Sequence, residues 1–395
     1  MEKKKYDLVI AGGGVAGCAA ALAAARRGLK CAVIEKTVSA GGLATNGLVL
    51  VYLPLCDGAG HQVSFGITEE LLHACNTYGP HEVPEWQDGS GRFQVYFSPA
   101  SLILALDELL LKAGVDLWFD TVLIGASSDK NKRVRSIEVW NKSGRIEIFA
   151  DCFIDATGDA DLAYLAGNKC LSATNSLVTW VIEHREQSDQ LTVCNYGRDT
   201  SVRIVANPIT DVFTEPGISG KMVSDFVIAA RAKYLKILQE EYESGISSPK
   251  KRYPIAFPSM PTLRHTRCIS AVEPMQENMA WQSVEKSIGL AADWRKRNSV
   301  WEMPFGMLIP DNVEGVLAAG RAAGAIGDAW EISRVIPAAA LTGEVSGVAA
   351  AIAAKHGIMP SKVDYEELAF ELQKGRKFPL KISELGLVKP EDGTL

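Results

Sequence analysis

Short apolar runs and glycine or charged positions alternate over the first forty residues. Residues 7–11 (DLVIA) and 30–34 (KCAVI) have the pattern of short buried strands, and the alanine-rich segment 16–27 between them has the pattern of a helix. Gly28 follows that helix where a left-handed residue commonly ends one. The pattern therefore predicts a strand–helix–strand unit.

A secretory signal peptide is the alternative interpretation, because three lysines at residues 3–5 precede the apolar stretch. The core of a signal peptide is a continuous apolar helix. Asp7 interrupts the stretch, the glycines at 12–14 would break a helix, and the chain then returns to an apolar strand with no evident processing site. We therefore favour the strand–helix–strand unit.

Gly12, Gly14 and Gly17 stand in the spacing G-x-G-x-x-G between the first strand and the helix. Such glycines allow the tight turn, the approach of backbone amides to a pyrophosphate, and close helix–strand packing. Glu35 ends the second strand, where an acid accepts hydrogen bonds from a ribose. The unit predicts a site for FAD or NAD, with a tight turn that binds nothing as the alternative. Its candidate binding residues are Gly12, Gly14, Val15, Ala16, Gly17, Glu35 and Lys36.

The next loop, SAGGLATNGLVLVY at 39–52, has little side-chain bulk and several free amide donors. It resembles the loop after the second strand in FAD-dependent oxidoreductases of the glutathione-reductase-like superfamily. Its GG-x-A-T-x-G-L-V pattern is similar to one bacterial subfamily, and an ordinary glycine-rich connection is the alternative. The resemblance adds Gly41, Gly42, Leu43, Ala44 and Thr45 to the candidate FAD-binding residues.

Two later segments strengthen this resemblance. In ADCFIDATGDADLAYLAG, 150–167, a buried strand leads into an A-T-G-D segment that resembles the return of such proteins to the FAD domain. In residues 315–357, a strand GVLAAG precedes a Gly-Asp pair and a helix from about Pro337. The resemblance implies that Asp328 binds the ribityl chain and that the helix start faces the flavin, where its positive end favours an anion. The candidates are Ala156, Thr157, Gly158, Asp159, Gly320, Arg321, Gly327, Asp328, Arg334, Val335 and Ala338.

Between these segments the sequence predicts a helix and a β-meander. Ser98 is a candidate N-cap, Pro99 a first helical residue and Gly114 a stop. Residues 115–150 alternate in the manner of three strands joined by turns. They resemble the inserted three-stranded sheet of the same superfamily, in which Val122 would offer backbone groups to the adenine.

The predicted fold class is α/β: a Rossmann-like FAD-binding domain with the inserted meander, and a mixed α+β substrate or cap domain. We place the FAD domain at 1–50, 96–167 and 302–358. The cap takes 51–95 and 168–301, and 359–395 forms a peripheral C-terminal tail.

The cap segment TLRHTRCIS, 262–270, contains the candidate catalytic residues. His265 could act as acid or base, and Arg264 or Arg267 could fix an anionic substrate or a flavin oxygen. Because alternate residues of a strand face opposite ways, the three cannot all converge from one strand. The alternative places the arginines in ion pairs and the histidine in the core. Glu331 could pair with Arg334, three residues further along a helix.

Composition narrows the possible functions. The net charge of −6 gives no nucleic-acid footprint, no apolar run predicts a membrane span, and eight cysteines without C-x-x-C spacing suggest buried thiols in the cytoplasm. We expect an FAD-dependent oxidoreductase that transfers a hydride between a small-molecule substrate and flavin N5, with the electron acceptor or donor and the oligomeric state left open. The alternatives are a flavoprotein of tRNA modification, a non-catalytic flavin- or nucleotide-binding protein, and an NAD-dependent dehydrogenase.

Overall fold

The computed structural model describes residues 2–79, 83, 94–176, 179–187, 190–191, 202–207, 212–213 and 216–390. The helices in this part of the chain are α1 (Val15–Ala25), α2 (Ile67–Thr77), α3 (Pro99–Lys112), α4 (Asp161–Leu165), α5 (Gly220–Glu243), α6 (Asp328–Ser333), α7 (Ile336–His356) and α8 (Tyr365–Gln373). The strands are β1 (Glu2–Ala11), β2 (Cys31–Ile34), β3 (Val51–Tyr52), β4 (Val95–Tyr96), β5 (Asp116–Trp118), β6 (Val122–Ser128), β7 (Val134–Asn141), β8 (Gly144–Asp155), β9 (Cys170–Ser172), β10 (Asn175–Ser176), β11 (Thr179–Gln187), β12 (Gln190–Leu191), β13 (Val202–Asn207), β14 (Val212–Phe213), β15 (Arg252–Ala256), β16 (Arg267–Ile269), β17 (Ser287–Ala292), β18 (Val300–Pro304) and β19 (Val316–Ala318).

A parallel sheet in the order β5-β2-β1-β8-β19 forms the centre of the fold. β8 changes partner along one edge: residues 144–149 pair with β7 in the antiparallel sense, and residues 153–155 pair with β19 in the parallel sense. The α/β fold class with an inserted meander is therefore confirmed. The carboxyl ends of β1, β8 and β19 meet at one edge of the sheet, where ligands commonly bind in such folds.

Local sequence signals set several element boundaries as expected. Gly28 and Gly114 follow α1 and α3 at φ +88° and +75°, and the hydroxyl of Ser98 accepts a hydrogen bond from the backbone N–H of Ser101 at 3.3 Å. The lysines at residues 3–5 lie within β1, where they pair with β8. They are part of the central sheet.

Two strand predictions were wrong in detail. The third strand of the meander and the strand before A-T-G-D are a single strand, β8. The segment 115–128 is two strands, because the chain turns at Asp120, which has φ +50°, and passes from the parallel sheet at β5 to the meander at β6.

Helix α7 crosses α1 at very short range. A Cβ on Gly343 would lie 2.1 Å from the carbonyl oxygen of Ala16, and one on Gly347 would lie 2.3 Å from that of Ala20. The glycines, four residues apart, therefore allow the two backbones to touch. α7 is also the one helix in the described residues that is long and apolar enough to cross a membrane, but it is buried inside the protein.

The remaining strands form small sheets around this core. The largest contains β12, β11, β13 and β15, all antiparallel, and α5 packs on β11. Buried Arg252 donates to the buried Glu183 carboxylate at 3.1 Å, and Tyr234 donates to the same carboxylate at 2.8 Å. These elements lie in the segment predicted to be the cap, whose boundaries stay a prediction.

Part of the described segment after residue 358 packs on the main core. Leu368 and Leu372 of α8 and Phe378 are buried in the main core. Arg376 forms an ion pair with Glu344, a buried residue of α7. The apolar face of α8 therefore continues the core, although the charged residues around it suggested a surface tail.

The described cysteines are all free thiols. Six are buried and Cys170 is partly buried, and Cys194 lies outside the described residues. Burial raises the pKa of Cys18 and Cys152 to about 12, which suits small apolar side chains. Within the described residues, no group of histidine, cysteine and acidic side chains has the arrangement of a metal site.

Candidate cofactor cleft and adjoining cavity

A cleft with an empty volume of about 1000 Å³, its mouth included, opens at the carboxyl ends of β1, β2, β8 and β19. We call it the cofactor cleft. Most predicted cofactor residues line it: Gly12, Gly14, Val15, Ala16, Glu35, Lys36, Gly41, Gly42, Leu43, Ala44, Val122, Ala156, Thr157, Gly158, Gly320, Arg321 and Arg334. Residues that the sequence did not predict also line it: Ile34, Thr121, Leu123, Asp161, Met260, Ala319, Ile336 and Ala339.

The glycines of the first loop have three different surroundings. Gly12 has φ +99°, and a Cβ there would lie 2.4 Å from the carbonyl oxygen of Ala156. A Cβ on Gly17 would lie 1.9 Å from the carbonyl oxygen of Gly12, so this glycine serves helix packing and does not line the cleft. Gly14 has open space beside it and precedes α1 directly. The first-turn amides of α1 have no acceptor within the helix, so the loop presents donors to the cleft.

Glu35 is buried at the end of β2 and its carboxylate is already hydrogen-bonded. One oxygen accepts from the backbone N–H of Gly13 at 2.8 Å, and the other accepts from the backbone N–H and hydroxyl of Thr37, both at 2.8 Å. A carboxylate has about four lone-pair positions, so acceptor capacity is left for a ribose hydroxyl. The protein contacts hold this acceptor in place.

The second glycine loop lies against the first. The backbone N–H of Gly41 donates to the carbonyl of Gly13 at 2.8 Å, and Gly41 has φ +101°. Thr45 does not line the cleft; its hydroxyl donates to the carbonyl of Ala40 at 2.7 Å and its methyl group fills the space beside Gly41. Thr45 shapes the loop that Gly41, Gly42, Leu43 and Ala44 present.

The A-T-G-D segment is held by a buried carboxylate that sequence reasoning missed. Asp155 ends β8 and accepts hydrogen bonds from the hydroxyl of Thr157 at 2.7 Å and from the N–H of Ala163 at 2.9 Å. Burial raises the pKa of Asp155 to about 6, against the lowering effect of these hydrogen bonds. An acidic residue at the end of the apolar run CFIDA was the signal in the sequence that could have indicated this role.

Asp159 does not line the cleft but fixes cations that do. Its carboxylate accepts a hydrogen bond from Arg321 at 2.7 Å, and the Nζ of Lys36 lies 3.9 Å away. Burial raises the pKa of Asp159, but Arg321 and Lys36 outweigh this and hold the pKa below its ordinary value. The carboxylate therefore stays ionised beside the cleft.

The flavin role predicted for Gly327 and Asp328 stays a prediction. Neither residue lines the cofactor cleft, and the Asp328 carboxylate pairs with Arg295 at 2.5 Å on the surface side of α6. The dipeptide that follows β19 directly is Gly320-Arg321, and both residues line the cleft. The distance of a residue from the end of β19, and not its place in a Gly-Asp dipeptide, therefore decides whether it lines the cleft.

Helix α7 begins at the cleft, and its first turn presents other residues to the cleft than the predicted Val335 and Ala338. Ile336 and Ala339 line the cleft, whereas Ala338 is buried beneath the first turn. Val335 is the N-cap residue and lines a neighbouring cavity. Pro337 occupies the first turn, as predicted.

His265 and Arg267 line neither cavity, and their catalytic roles stay a prediction. The ring of His265 lies between the carbonyl of Thr174, 2.9 Å from Nδ1, and the carboxylate of Glu331, 3.1 Å from Nε2. Arg267 donates to the Asp161 carboxylate at 2.5 Å. These contacts match the alternative interpretation, in which the arginines form ion pairs and the histidine has internal partners.

Glu331 connects His265 to Arg334, which lines the cleft. The predicted ion pair between Glu331 and Arg334 is present. Burial raises the pKa of Glu331, but His265 and Arg334 outweigh it and the pKa lies well below its ordinary value. His265 is therefore positioned to hold the carboxylate that orients Arg334.

A second cavity, with an empty volume of about 1160 Å³ including its mouth, joins the cofactor cleft. We call it the adjoining cavity. It shares four lining residues with the cleft: Leu43, Arg321, Arg334 and Ile336. The others come from distant segments: Val49, Val51, Leu53, Gln94, Tyr96, Trp180, Thr262, Leu263, Arg264, Trp294 and Val335. Apart from Arg264 and Val335, sequence reasoning named none of these as site residues, and no local signal marks them.

The fold and the cleft define a dinucleotide-binding α/β protein with the glycine loop, acidic strand end and return segment of the flavoprotein class. The chain belongs to the FAD dependent oxidoreductase family, whose model matches residues 7–199 and 280–372. It is an enzyme of that family and its cofactor is FAD.

Individual relatives are distant. A stretch of 73 residues is 37% identical to thioredoxin reductase of Ureaplasma parvum serovar 3; it covers 18% of this chain and 24% of that protein. The chain thus spans about a quarter of the curated relative. A geranylgeranyl bacteriochlorophyll reductase-like protein of Thermoplasma acidophilum superimposes with TM-score 0.50 at 18% identity, over 93% of this chain and 84% of the other. The p-nitrophenol 4-monooxygenase of Pseudomonas putida DLL-E4 gives 0.49 at 15% identity, over 90% and 82%. The likeness to the Thermoplasma acidophilum structure concerns the fold alone.

Proposed function

We propose that this enzyme transfers a hydride between FAD in the cofactor cleft and a small organic substrate in the adjoining cavity. The observation that carries the proposal is the junction of the two cavities at Leu43, Arg321, Arg334 and Ile336. A substrate there would lie next to one end of the cleft without entering it.

The residues of the cleft fit FAD. Gly14 leaves open space at the start of α1, where the free amides suit a pyrophosphate. Glu35 keeps acceptor capacity for the adenosine ribose, and Val122 lies on the cleft wall for the adenine. We assign the flavin to the opposite end, beside the Gly41–Ala44 loop and the start of α7.

When bound, FAD accepts or delivers two electrons as a hydride equivalent. The protein's part is to hold the substrate carbon close to the flavin and to limit water. Leu43 and Ile336 form apolar walls at the junction, and Arg321 and Arg334 place positive charge there. The first turn of α7 adds the positive end of its dipole, which favours negative charge on the flavin side.

Anaerobic mixing tests the proposal. The FAD-loaded enzyme is exposed to carboxylates, carbohydrates and amines, and then to NAD(P)H, while the flavin absorbance near about 450 nm is followed. We expect at least one organic compound to bleach the flavin. If only NAD(P)H reduced the flavin, the enzyme would act as a reductase, with the hydride passing from the flavin to the organic substrate. If no compound reduced the flavin, the proposal would be contradicted.

The junction is tested by Ile336→Phe, which adds bulk where the cavities meet. We expect FAD content to stay unchanged while reduction by the substrate slows about tenfold or more, because the reacting atoms are displaced. Ile358→Phe, beyond the other end of α7 and outside both cavities, is the matched control. Equal rates in the two variants would contradict a substrate site at the junction.

A further inference from the structure

Three arginines face the adjoining cavity. Arg321 and Arg334 also line the cofactor cleft, whereas Arg264 lines the adjoining cavity alone. A ligand of the adjoining cavity therefore meets one guanidinium that the cofactor cleft does not share.

The charges around this cavity do not balance within the described residues. Arg321 is paired with Asp159, and Arg334 with Glu331. No carboxylate of the described residues pairs with the side chain of Arg264, and none of the described lining residues is an aspartate or a glutamate. The described part of the cavity wall thus carries an excess positive charge.

Arg334 shows that the three cations are close enough to interact. Burial lowers the pKa of Arg334 and Glu331 raises it, while Arg264 and Arg321 lower it further by charge repulsion. An anion placed among the three guanidinium groups would relieve that repulsion. The Nε of Arg334 is also buried without a hydrogen-bond partner in the described structure.

The rest of the wall is apolar and aromatic. Trp180, Trp294 and Tyr96 line the cavity together with aliphatic side chains from the loop and strand at 49–53. The indole N–H of Trp294 already donates to the carbonyl of Glu331 at 3.1 Å, which fixes that ring at the wall. Such a lining binds a flat apolar group through buried area and ring contacts.

We propose that the adjoining cavity binds an organic carboxylate with an aromatic or similarly flat apolar body, and that Arg264 binds the carboxylate group. The guanidinium fork matches a carboxylate with two parallel hydrogen bonds. This inference rests on the proposed function, since it names the substrate class of the same site. It concerns binding and can be tested without turnover.

The test titrates the FAD-loaded enzyme with phenylacetate, phenylacetamide and phenethylamine, which share a body and differ in charge. Binding is followed through the perturbation of the flavin spectrum and by calorimetry. We expect phenylacetate to bind about tenfold or more tightly than the amide, because a hydrogen bond to a charged group is stronger than one to a neutral group. The amine is expected to bind worst.

Variants of Arg264 assign the effect to that side chain. Arg264→Met should lose about tenfold or more in phenylacetate affinity and keep its affinity for the amide. It should fold at least as stably as the wild type, since it removes a cation that has no carboxylate partner among the described residues. Arg264→Lys should restore part of the carboxylate preference. Arg145→Met, an exposed arginine of the meander outside both cavities, is the matched control.

The outcomes separate this inference from the proposed function. Equal binding of amide and carboxylate, or an equal loss of both in Arg264→Met, would overturn the carboxylate site. Reduction of the flavin by uncharged compounds only would also overturn it, while the proposed hydride transfer would stand. Tight, Arg264-dependent carboxylate binding supports the inference even if no tested compound reduces the flavin.

Discussion

Nη2 of Arg321 lies 2.7 Å from Oδ1 of Asp159, and this ion pair joins residues that are 162 positions apart in the chain. Asp159 follows β8 and Arg321 follows β19, and these strands are neighbours in the parallel sheet. Arg321 also donates to the carbonyl of Gly158 at 2.5 Å. The pair thus closes the A-T-G-D segment onto the last sheet strand at the cofactor cleft.

Breaking this pair should destabilise the protein and weaken its hold on FAD. Asp159→Asn leaves the buried Arg321 without its charged partner, which we expect to lower the free energy of unfolding by about 3–5 kcal/mol. Denaturant unfolding with FAD present measures it. The double variant Asp159→Asn/Arg321→Met should recover part of this loss of unfolding free energy. If its loss equalled the sum of the losses in the two single variants, the two groups would act independently.

The α1–α7 crossing should not tolerate a methyl group. Gly347→Ala places a Cβ 2.3 Å from the carbonyl oxygen of Ala20, and we expect a loss of about 1–3 kcal/mol in unfolding free energy from overpacking. Gly220→Ala is the matched control, because Gly220 begins α5 with open space around it. If Gly347→Ala unfolded at the same denaturant concentration as the wild type, the two helices would be farther apart than described.

Asp155 should give stability a specific pH dependence. Its folded pKa is raised to about 6 by burial, against about 3.9 in the unfolded chain. The folded state therefore binds the proton more tightly, and this contribution is complete below about pH 4 and is lost as the pH rises through about 6. Relative to Asp155→Asn, the wild type should lose up to roughly 2–3 kcal/mol of unfolding free energy between these pH values.

Unfolding of both proteins at a series of pH values between the two limits checks this. The variant exchanges one acceptor oxygen for a donor at every pH, so only the pH dependence of the difference in unfolding free energy is informative. A constant difference between wild type and Asp155→Asn would contradict the raised pKa.

His265 should behave as a positioning residue. His265→Gln removes the imidazole next to Glu331 and so loosens Arg334, but it removes no group that lines either cavity. We expect the rate of flavin reduction by substrate to fall less than about tenfold, with substrate binding weakened, whereas loss of a general acid or base costs about 10²–10⁴-fold. A 10²-fold or larger fall in the rate of flavin reduction, with an altered pH profile of that rate, would support a catalytic role for His265.

The sequence predicts the parts of this structure that depend on neighbouring residues. The turn at Gly12, the cap at Ser98 and the stop at Gly28 each follow from local backbone requirements, and each is present. The ion pair of Glu331 with Arg334 also follows from helical spacing.

The remaining errors have a common cause. Two dipeptides, Gly320-Arg321 and Gly327-Asp328, follow β19, and the sequence does not show which of them reaches the cleft. Trp180 and Trp294 meet in the adjoining cavity through tertiary packing, so no spacing along the chain places them together. Long-range packing, which sequence pattern does not record, therefore decides the substrate side of the site.

The most direct test of the account is calorimetric titration of the purified, flavin-free protein with FAD, compared with Gly14→Val. A Cβ on Gly14 meets nothing within 4 Å, so we expect Gly14→Val to fold while its side chain occupies the place of the pyrophosphate. We predict that the wild type binds one FAD per chain and turns yellow, that Gly14→Val loses about 100-fold or more in affinity, and that Gly220→Val binds like the wild type. A wild type that stays colourless in excess FAD, or a Gly14→Val variant that binds FAD equally well, would contradict the account.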